Sequence, residues 1–444
     1  MRLNADEKKN IRRLEALLKD NPNYLDFSSE KTKALTHGYH TYPAMMIPQL
    51  ANEFINIALC INPQIKLLFD PFMGSGTSIV EAITHKLDAY GKDINPLALL
   101  MTKAKSKAIS PALLEEAFTS IKAEITLKEM KRARIKTPTF ERIDFWFKED
   151  VIKELQKIKG CINLIDEQDI KTFFLAAFSE TVRYVSNSRN SEFKLYRLSE
   201  ENLQAWNPNV KEAFYRIVNR NISGNLELYN ELVKVDNLYP NVTITQGNSA
   251  AYDEAIADNT FDLLITSPPY GDSGTTVAYG QFSRLSLQWL DMEIDNATRL
   301  NQLDNIMLGG KVDKKIVIDD ALSNLASKSL TKTFRSIYMK NEKRALEVLQ
   351  FYIDLCNSLK EISRVMKPGS YQFWVVANRT VKDIKIPTDI IVSELFSKYG
   401  IKHMHSFYRN IPSKRMPTIN SPTNISGNHS VTMTEETILM LKKV

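Results

Sequence analysis

Cysteine is scarce and scattered: Cys60, Cys161 and Cys356 are the three in 444 residues, too far apart in sequence to suggest a disulfide framework or a zinc cluster. They are expected to be small buried hydrophobes. No run of about 18 or more consecutive apolar residues occurs, so no segment reads as a membrane-crossing helix. The start, Met1-Arg2-Leu3-Asn4-Ala5-Asp6-Glu7-Lys8-Lys9, is charged where a secretory signal needs an apolar stretch. A cytoplasmic protein with no membrane partner is the expectation. The histidines His37, His40, His403 and His405 find no grouping of Asp, Glu or Cys to complete a site, and no metal is expected. Internal repeats and low-complexity tracts are also missing, which excludes solenoids and compositionally biased spacers.

What is present is globular. A hydrophobic content of 43% with 25% charged residues can bury a substantial core, and the length suggests roughly two or three domains. The formal net charge of +6 is mild, but its distribution is uneven. Residues 103–136 carry many Lys and Arg, including Lys131, Arg132 and Arg134. Residues 311–344 are similarly enriched, and Arg409, Lys414 and Arg415 stand near the end with few acids around them. Such segments suit a phosphate backbone, although solvated helix faces would look the same.

Along the chain, Lys66-Leu67-Leu68-Phe69-Asp70 reads as a buried strand, followed by a glycine loop and a helical pattern through Ile79, Ala82 and Ile83. Residues 88–94 read as the next strand, and Pro96 opens another helix. A long helical stretch covers about 110–231. Strand patterns return at Val242-Thr243-Ile244-Thr245 and at Phe261-Asp262-Leu263-Leu264-Ile265-Thr266. A helix is expected at 279–290, then a polar, irregular segment to 338 with a Gly309-Gly310 turn. A long amphipathic helix over about 342–364 should end in a Lys367-Pro368-Gly369 turn feeding the strand 371–376. Helix 388–398 and strands at 403–409 and 437–441 complete the chain. The simplest assembly is an α/β protein with one doubly wound sheet. It divides into 1–104, a helical insertion at 105–240, a part carrying the Pro-Pro loop at 241–290, a second insertion at 291–344 and a final part at 345–444.

Two constellations carry chemistry. In Asp70-Pro71-Phe72-Met73-Gly74-Ser75-Gly76-Thr77, glycines after a strand let the backbone approach a ligand, and the following helix N-terminus offers unpaired N–H groups. A dinucleotide fingerprint would want a small residue where Ile79 stands. Asp93, ending the next strand, supplies a carboxylate for two ribose hydroxyls, so a nucleoside ligand is favoured. The second constellation is Ser267-Pro268-Pro269-Tyr270. Two prolines cannot continue a central strand, so a stiff loop leaves the sheet at a strand's C-terminal end, where open α/β sheets bind ligands.

Phe72-Met73-Gly74-Ser75-Gly76-Thr77 resembles the S-adenosylmethionine loop of amino-methylating DNA methyltransferases, and Thr266-Ser267-Pro268-Pro269-Tyr270 resembles their catalytic motif. The form beginning with Ser is typical of the cytosine-N4 branch; adenine-N6 enzymes more often begin with Asp or Asn. His40-Thr41-Tyr42-Pro43-Ala44 looks like the segment that packs on the methionine moiety. Gly247-Asn248-Ser249-Ala250 looks like the turn that meets the adenine ring, with Asn248 where relatives often hold an acid. Arg409-Asn410-Ile411-Pro412-Ser413-Lys414-Arg415-Met416-Pro417 is similar to a further segment of such enzymes. The resemblance implies a seven-stranded, mostly parallel Rossmann-like sheet and S-adenosylmethionine as cofactor. It assigns Tyr42, Pro43, Asp70, Pro71, Phe72, Gly74, Gly76, Thr77, Asp93 and Asn248 to that cofactor. Double-stranded DNA is the implied partner, with a cognate restriction endonuclease as functional counterpart.

In chemical terms, an exocyclic amine conjugated to a base is a poor nucleophile until its nitrogen moves toward tetrahedral geometry. The Pro268 carbonyl and the Ser267 hydroxyl would accept its N–H groups and align it, Pro269 would stiffen the loop, and Tyr270 would stack on the base once it leaves the duplex. Residues 186–197, with Arg189, Lys194 and Arg197 among aromatics, could meet phosphates or base edges, or simply pack; they stand with Lys131, Arg132, Lys414 and Arg415 as candidate DNA contacts. Methylation of adenine N6, of RNA or of a protein amide, and a DNA-binding module without catalysis, remain open readings.

Overall fold

The computed structural model describes residues 3–126, 138, 140–190, 192–233, 239–272, 276–293, 300–411, 419–420, 430–431 and 434–444. Seven strands form one sheet: β1 (Leu67–Asp70), β2 (Asp88–Asp93), β3 (Val242–Gln246), β4 (Phe261–Thr266), β5 (Met366–Val376), β6 (Ile401–Asn410) and β7 (Glu435–Lys443). Their spatial order is β3-β2-β1-β4-β5-β7-β6. The first five pair in parallel, while β7 runs antiparallel between β5 and β6. The chain moves outward from β1 through β2 to β3, then restarts on the other side at β4. That reversal opens a crevice between the C-terminal ends of β1 and β4.

Both faces of the sheet are covered, and the two-residue period of each strand decides which side chain faces which helix. From β5, Tyr371, Phe373 and Val375 join Ile438 and Met440 of β7 in a core with Leu50, Phe54 and Ile57 of the helix Pro48–Ile61. Phe54 stacks on Phe373 at 4.8 Å between ring centroids. Trp374, Val376, Leu439 and Leu441 face the other way, onto Leu355, Leu359 and Ile362 of the helix Glu342–Val365 and onto Leu395 of Thr388–Ser397.

The first insertion is helical as expected, with Pro111–Thr126, Glu149–Asn163, Gln168–Val185 and Val210–Val233. These helices enclose a second core around Phe118, Leu155, Phe173, Phe178 and Phe214. The helix Tyr279–Leu290 adds Phe282, Leu287 and Trp289 to it.

Three expectations need correction. The segment after residue 291 is not irregular: it holds the helices Leu303–Ile306, Ile318–Leu325 and Lys328–Lys340. Leu322, Leu325, Leu330, Phe334 and Ile337 bury against the Glu342–Val365 helix, and this apolar spacing of three and four is a helical stripe. The Lys367-Pro368-Gly369 turn lies inside β5 as a bulge, where five steps of β5, Met366 to Tyr371, pass two steps of β4, Phe261 to Leu263. Gly369 there has φ of +81°. Finally, Cys161 and Cys356 are buried but Cys60 is exposed.

Candidate active site

The glycine loop is built by its turn geometry. β1 ends at Asp70, Gly74 and Gly76 take φ of +49° and +78°, and the helix Thr77–Thr84 begins at once. A Cβ on Gly76 would stand 2.6 Å from Thr102 Cγ2, and the Gly76 N–H donates to the Met73 carbonyl at 2.8 Å. Gly76 therefore shapes the turn.

Asp70 is buried and ties three elements together. It accepts from Thr266 Oγ1 at 2.6 Å, from Phe72 N at 3.0 Å and from the Ser78 hydroxyl. Burial pushes its pKa up to about 6, against the pull of the Ser78, Thr266 and Phe72 hydrogen bonds. Asp93 Oδ2 accepts from Gly74 N at 2.9 Å and Oδ1 from Asn95 N at 2.8 Å. Burial likewise raises it to about 6, with the backbone N–H groups of Asn95, Gly74 and Ile94 opposing. The turn after β3 closes on the same point, since Gly247 N donates to the Asp93 carbonyl at 3.0 Å.

These pieces converge on one cavity, enclosing about 850 Å³ with its open mouth included. Tyr42, Pro43, Asp70, Pro71, Phe72, Gly74, Thr77, Asp93 and Asn248 line it together with Ser267 and Pro269. Gly76, Pro268 and Tyr270 do not. Ser249 of the turn after β3 also lines it, as do Tyr279, Ile94, Met307 and Leu308, and none of the last four stands out in the sequence as a site residue. Tyr279 lies 5.6 Å from the Tyr42 ring. Burial first, then the Asp93 charge, raises its phenol's pKa above the usual range. Its helix is started by Asp304, whose carboxylate accepts from Gly280 N at 2.8 Å and Gln281 N at 3.1 Å. Asp304 lies 25 positions after Tyr279 in the chain, so no local pattern announces the pair. Asn95 fixes Tyr42 by donating to its hydroxyl at 3.0 Å.

The Pro-Pro loop leaves β4 at Thr266. Pro268 is buried, while Ser267 and Pro269 are half-buried and reach the cavity. Tyr270 turns its hydroxyl away, onto Glu436 Oε1 of β7 at 2.7 Å, and Ser267 Oγ lies 3.2 Å from the Tyr270 hydroxyl oxygen. Arg409 Nη1 donates to the other Glu436 oxygen at 2.6 Å. Beyond the loop, Gly271 presses on the Arg379 guanidinium, which pairs with buried Asp272 at 2.8 Å.

A type II methyltransferase of Kocuria varians, M.MvaI, is 58% identical to this chain over 99% of it and 98% of the relative's own length. The chain belongs to the type II methyltransferases. A second type II methyltransferase, M.MjaII of Methanocaldococcus jannaschii, is 35% identical over 81 residues, 18% of this chain and 15% of that protein. No family model matches. Among solved structures, the rRNA methyltransferase AviRa of Streptomyces viridochromogenes aligns over 95% of this chain and 94% of its own, at 11% identity and a TM-score of 0.34. A SAM-dependent methyltransferase of Methanosarcina mazei aligns over 91% and 99%, at 9% identity and a TM-score of 0.30.

The cofactor of this methyltransferase is S-adenosylmethionine. The site's residues fit it: the Asp93 carboxylate has acceptor capacity for a hydroxyl donor beyond its backbone contacts with Gly74, Asn95 and Ile94. Pro71, Phe72, Ile94 and Leu308 give the cavity apolar walls.

Three of the methyltransferase's candidate DNA contacts, Arg189, Lys194 and Arg197, fall within the described residues. Arg189 pairs with Glu192 at 3.2 Å and stays half exposed. Arg197 is engaged within the protein, since its Nε donates to the Phe145 carbonyl at 3.2 Å and its guanidinium lies over the Phe145 ring. Ser186, Asn187 and Ser188 in the same loop are buried, so part of 186–197 packs rather than reaching outward. Lys194 is half-buried, and its charge acts on Asp304. Lys131, Arg132, Lys414 and Arg415 lie outside the described residues. Among the described residues no helix is long and apolar enough to cross a membrane.

Proposed function

We propose that this methyltransferase modifies the exocyclic N4 of cytosine at a specific site in duplex DNA, as the protective partner of a restriction endonuclease. One observation carries the reading. Ser267-Pro268-Pro269-Tyr270 sits at the C-terminal end of β4, with Ser267 and Pro269 on the cavity that the glycine loop and Asp93 also line.

Within that cavity Tyr42 and Pro43 would hold the methionine part of the cofactor. Asp70, Pro71, Phe72, Gly74 and Thr77 would cradle it, in a turn set by Gly76. Asp93 would accept from its ribose hydroxyls. Asn248, whose side-chain Oδ1 already accepts from Ala250 N at 2.9 Å, would present its NH₂ to the adenine ring. S-adenosylmethionine, when bound, supplies an electrophilic methyl group. The chain's own work is alignment: the Pro268 carbonyl and Ser267 Oγ accept the two N–H groups of the target amine, favouring the tetrahedral geometry that frees its lone pair. Tyr270 holds the base outside the helix. The helical insertion at 105–240 and the segment 291–344 would supply the DNA-reading parts.

The choice of cytosine follows Ser267 and the resemblance it carries. Mass spectrometry of nucleosides from the DNA of cells expressing the protein tests it. N4-methylcytosine is the expected product. N6-methyladenine in its place would overturn the choice of base, and unmodified DNA would move the search to RNA or to protein amides. Resistance of that DNA to a cognate endonuclease tests the protective role.

A further inference from the structure

Resting on that reading, we infer that Glu436 is a positioning residue that makes Ser267 a hydrogen-bond acceptor for the target amine, acting through Tyr270. Glu436 lies on β7, far in sequence from the Pro-Pro loop, and is paired with Arg409 at 2.6 Å. A carboxylate can only accept. The Tyr270 O–H, 2.7 Å from Glu436 Oε1, therefore donates outward to it. Burial first and the Glu436 charge next hold this phenol's pKa well above its usual value, so it stays a donor. Its single proton is then committed, and the 3.2 Å contact with Ser267 Oγ is made only if Ser267 donates to the Tyr270 oxygen. With its own proton pointed at Tyr270, Ser267 turns lone pairs elsewhere. Ser267 lines the cavity, and an amine N–H arriving there meets an acceptor.

A hydroxyl without that constraint could rotate and aim its proton at the amine, where donor would face donor. Glu436 removes this choice before substrate arrives, which is preorganisation in the sense that matters for rate. Arg409 fixes the carboxylate in turn, because its Nε donates to the Leu25 carbonyl at 3.1 Å while Nη1 holds Glu436.

Glu436→Gln keeps the size and reverses the chain. The amide oxygen must face Arg409, a donor, so its NH₂ faces Tyr270; the phenol proton turns to Ser267, and the Ser267 proton turns outward. The expected result is a kcat lowered roughly 100-fold, as for loss of one preorganised contact at a reacting centre, with cofactor affinity and the KM for DNA little changed. Tyr270→Phe removes the relay, so adding Glu436→Gln to it should reduce kcat no further. A Glu436 that only braces the sheet edge would harm the Tyr270→Phe enzyme as much as the wild type, and that outcome overturns the proposal. So does an unchanged kcat for Glu436→Gln in the wild-type background. A wild-type enzyme that transfers no methyl group to DNA overturns the functional reading and this inference together, whereas transfer to another base's amine overturns only the choice of base.

Discussion

At the scale of single residues, the site is a set of tight approaches and burdened carboxylates. Gly76 combines φ of +78° with Thr102 Cγ2 at 2.6 Å from where a Cβ would be. Gly76→Ala should therefore lower stability by about 1–3 kcal/mol from backbone strain alone, with weaker cofactor binding following from the displaced loop. Urea unfolding and calorimetry check the two effects, and an unaffected midpoint would contradict the turn geometry. Asp70 makes a pH prediction. Its pKa is raised from the ordinary 3.8 to about 6, burial being the largest cause, so the folded state holds the proton more tightly than the unfolded chain does. The sign follows from linkage: this contribution is fully present below 3.8, is lost as pH rises to about 6, and is flat above that. Wild type should lose stability relative to Asp70→Asn across that window, and a difference that instead grew with pH would show the carboxylate to be held charged. Asp70, Asp93 and Ser267 are legible because each stands at the C-terminal end of a strand pattern, Asp70 and Ser267 directly before a proline. Tyr279 and Glu436 are not, since nothing local connects them to the cavity or the Pro-Pro loop.

At the scale of elements, what could be read depended on whether the signal was periodic or positional. The helices Tyr279–Leu290 and Glu342–Val365 and the parallel strands β1 to β4 match the sequence pattern closely, because their apolar spacing is set by burial on known faces. The helices Ile318–Leu325 and Lys328–Lys340 were hidden by polarity: Leu330, Phe334 and Ile337 form a narrow stripe on an otherwise charged segment. The bulge in β5 reads as a turn in the sequence because Pro368-Gly369 signals a departure from regular pairing without saying that the strand resumes. One element contact has a direct functional consequence. Asp304 caps the first turn of Tyr279–Leu290 from the second insertion, and Tyr279 opens that helix on the cavity wall. Asp304→Ala should lower stability by about 0.5–2 kcal/mol and weaken cofactor binding, because the ring of Tyr279 loses its anchor. Asp304→Asn, which keeps an acceptor, should recover most of both. Equal damage from the two variants, seen in melting and titration, would mean that charge and not capping matters at this position.

For the molecule as a whole, the proposed reading has the sheet supply the chemistry and the insertions supply the choice of DNA sequence. The helices of the first insertion share one apolar core with Tyr42 and Leu97 of the N-terminal part and with Phe282 and Trp289 of the helix following the Pro-Pro loop, so the insertion is attached beside the site. From it the loop 186–197 extends, with Ser186, Asn187 and Ser188 buried at its root and Arg189 half exposed with Glu192 as its partner. A residue that reads a base edge acts differently from one that meets phosphate. Phosphate contacts set affinity for every sequence and its salt dependence, whereas a bidentate contact to one base discriminates at one position. If Arg189 exchanges Glu192 for a base, Arg189→Ala should cost about 1–3 kcal/mol at a single base pair of the site. The salt dependence of binding would then change little. Arg197→Ala should behave otherwise: its guanidinium is spent on Phe145 and Glu200, so the loss should appear in thermal stability. Binding to a panel of single-base variants at two salt concentrations separates these outcomes. Should Arg189→Ala leave affinity and site preference untouched, this loop is packing alone, and sequence reading belongs to the segment between 291 and 344, whose Asp304 already reaches the helix that carries Tyr279.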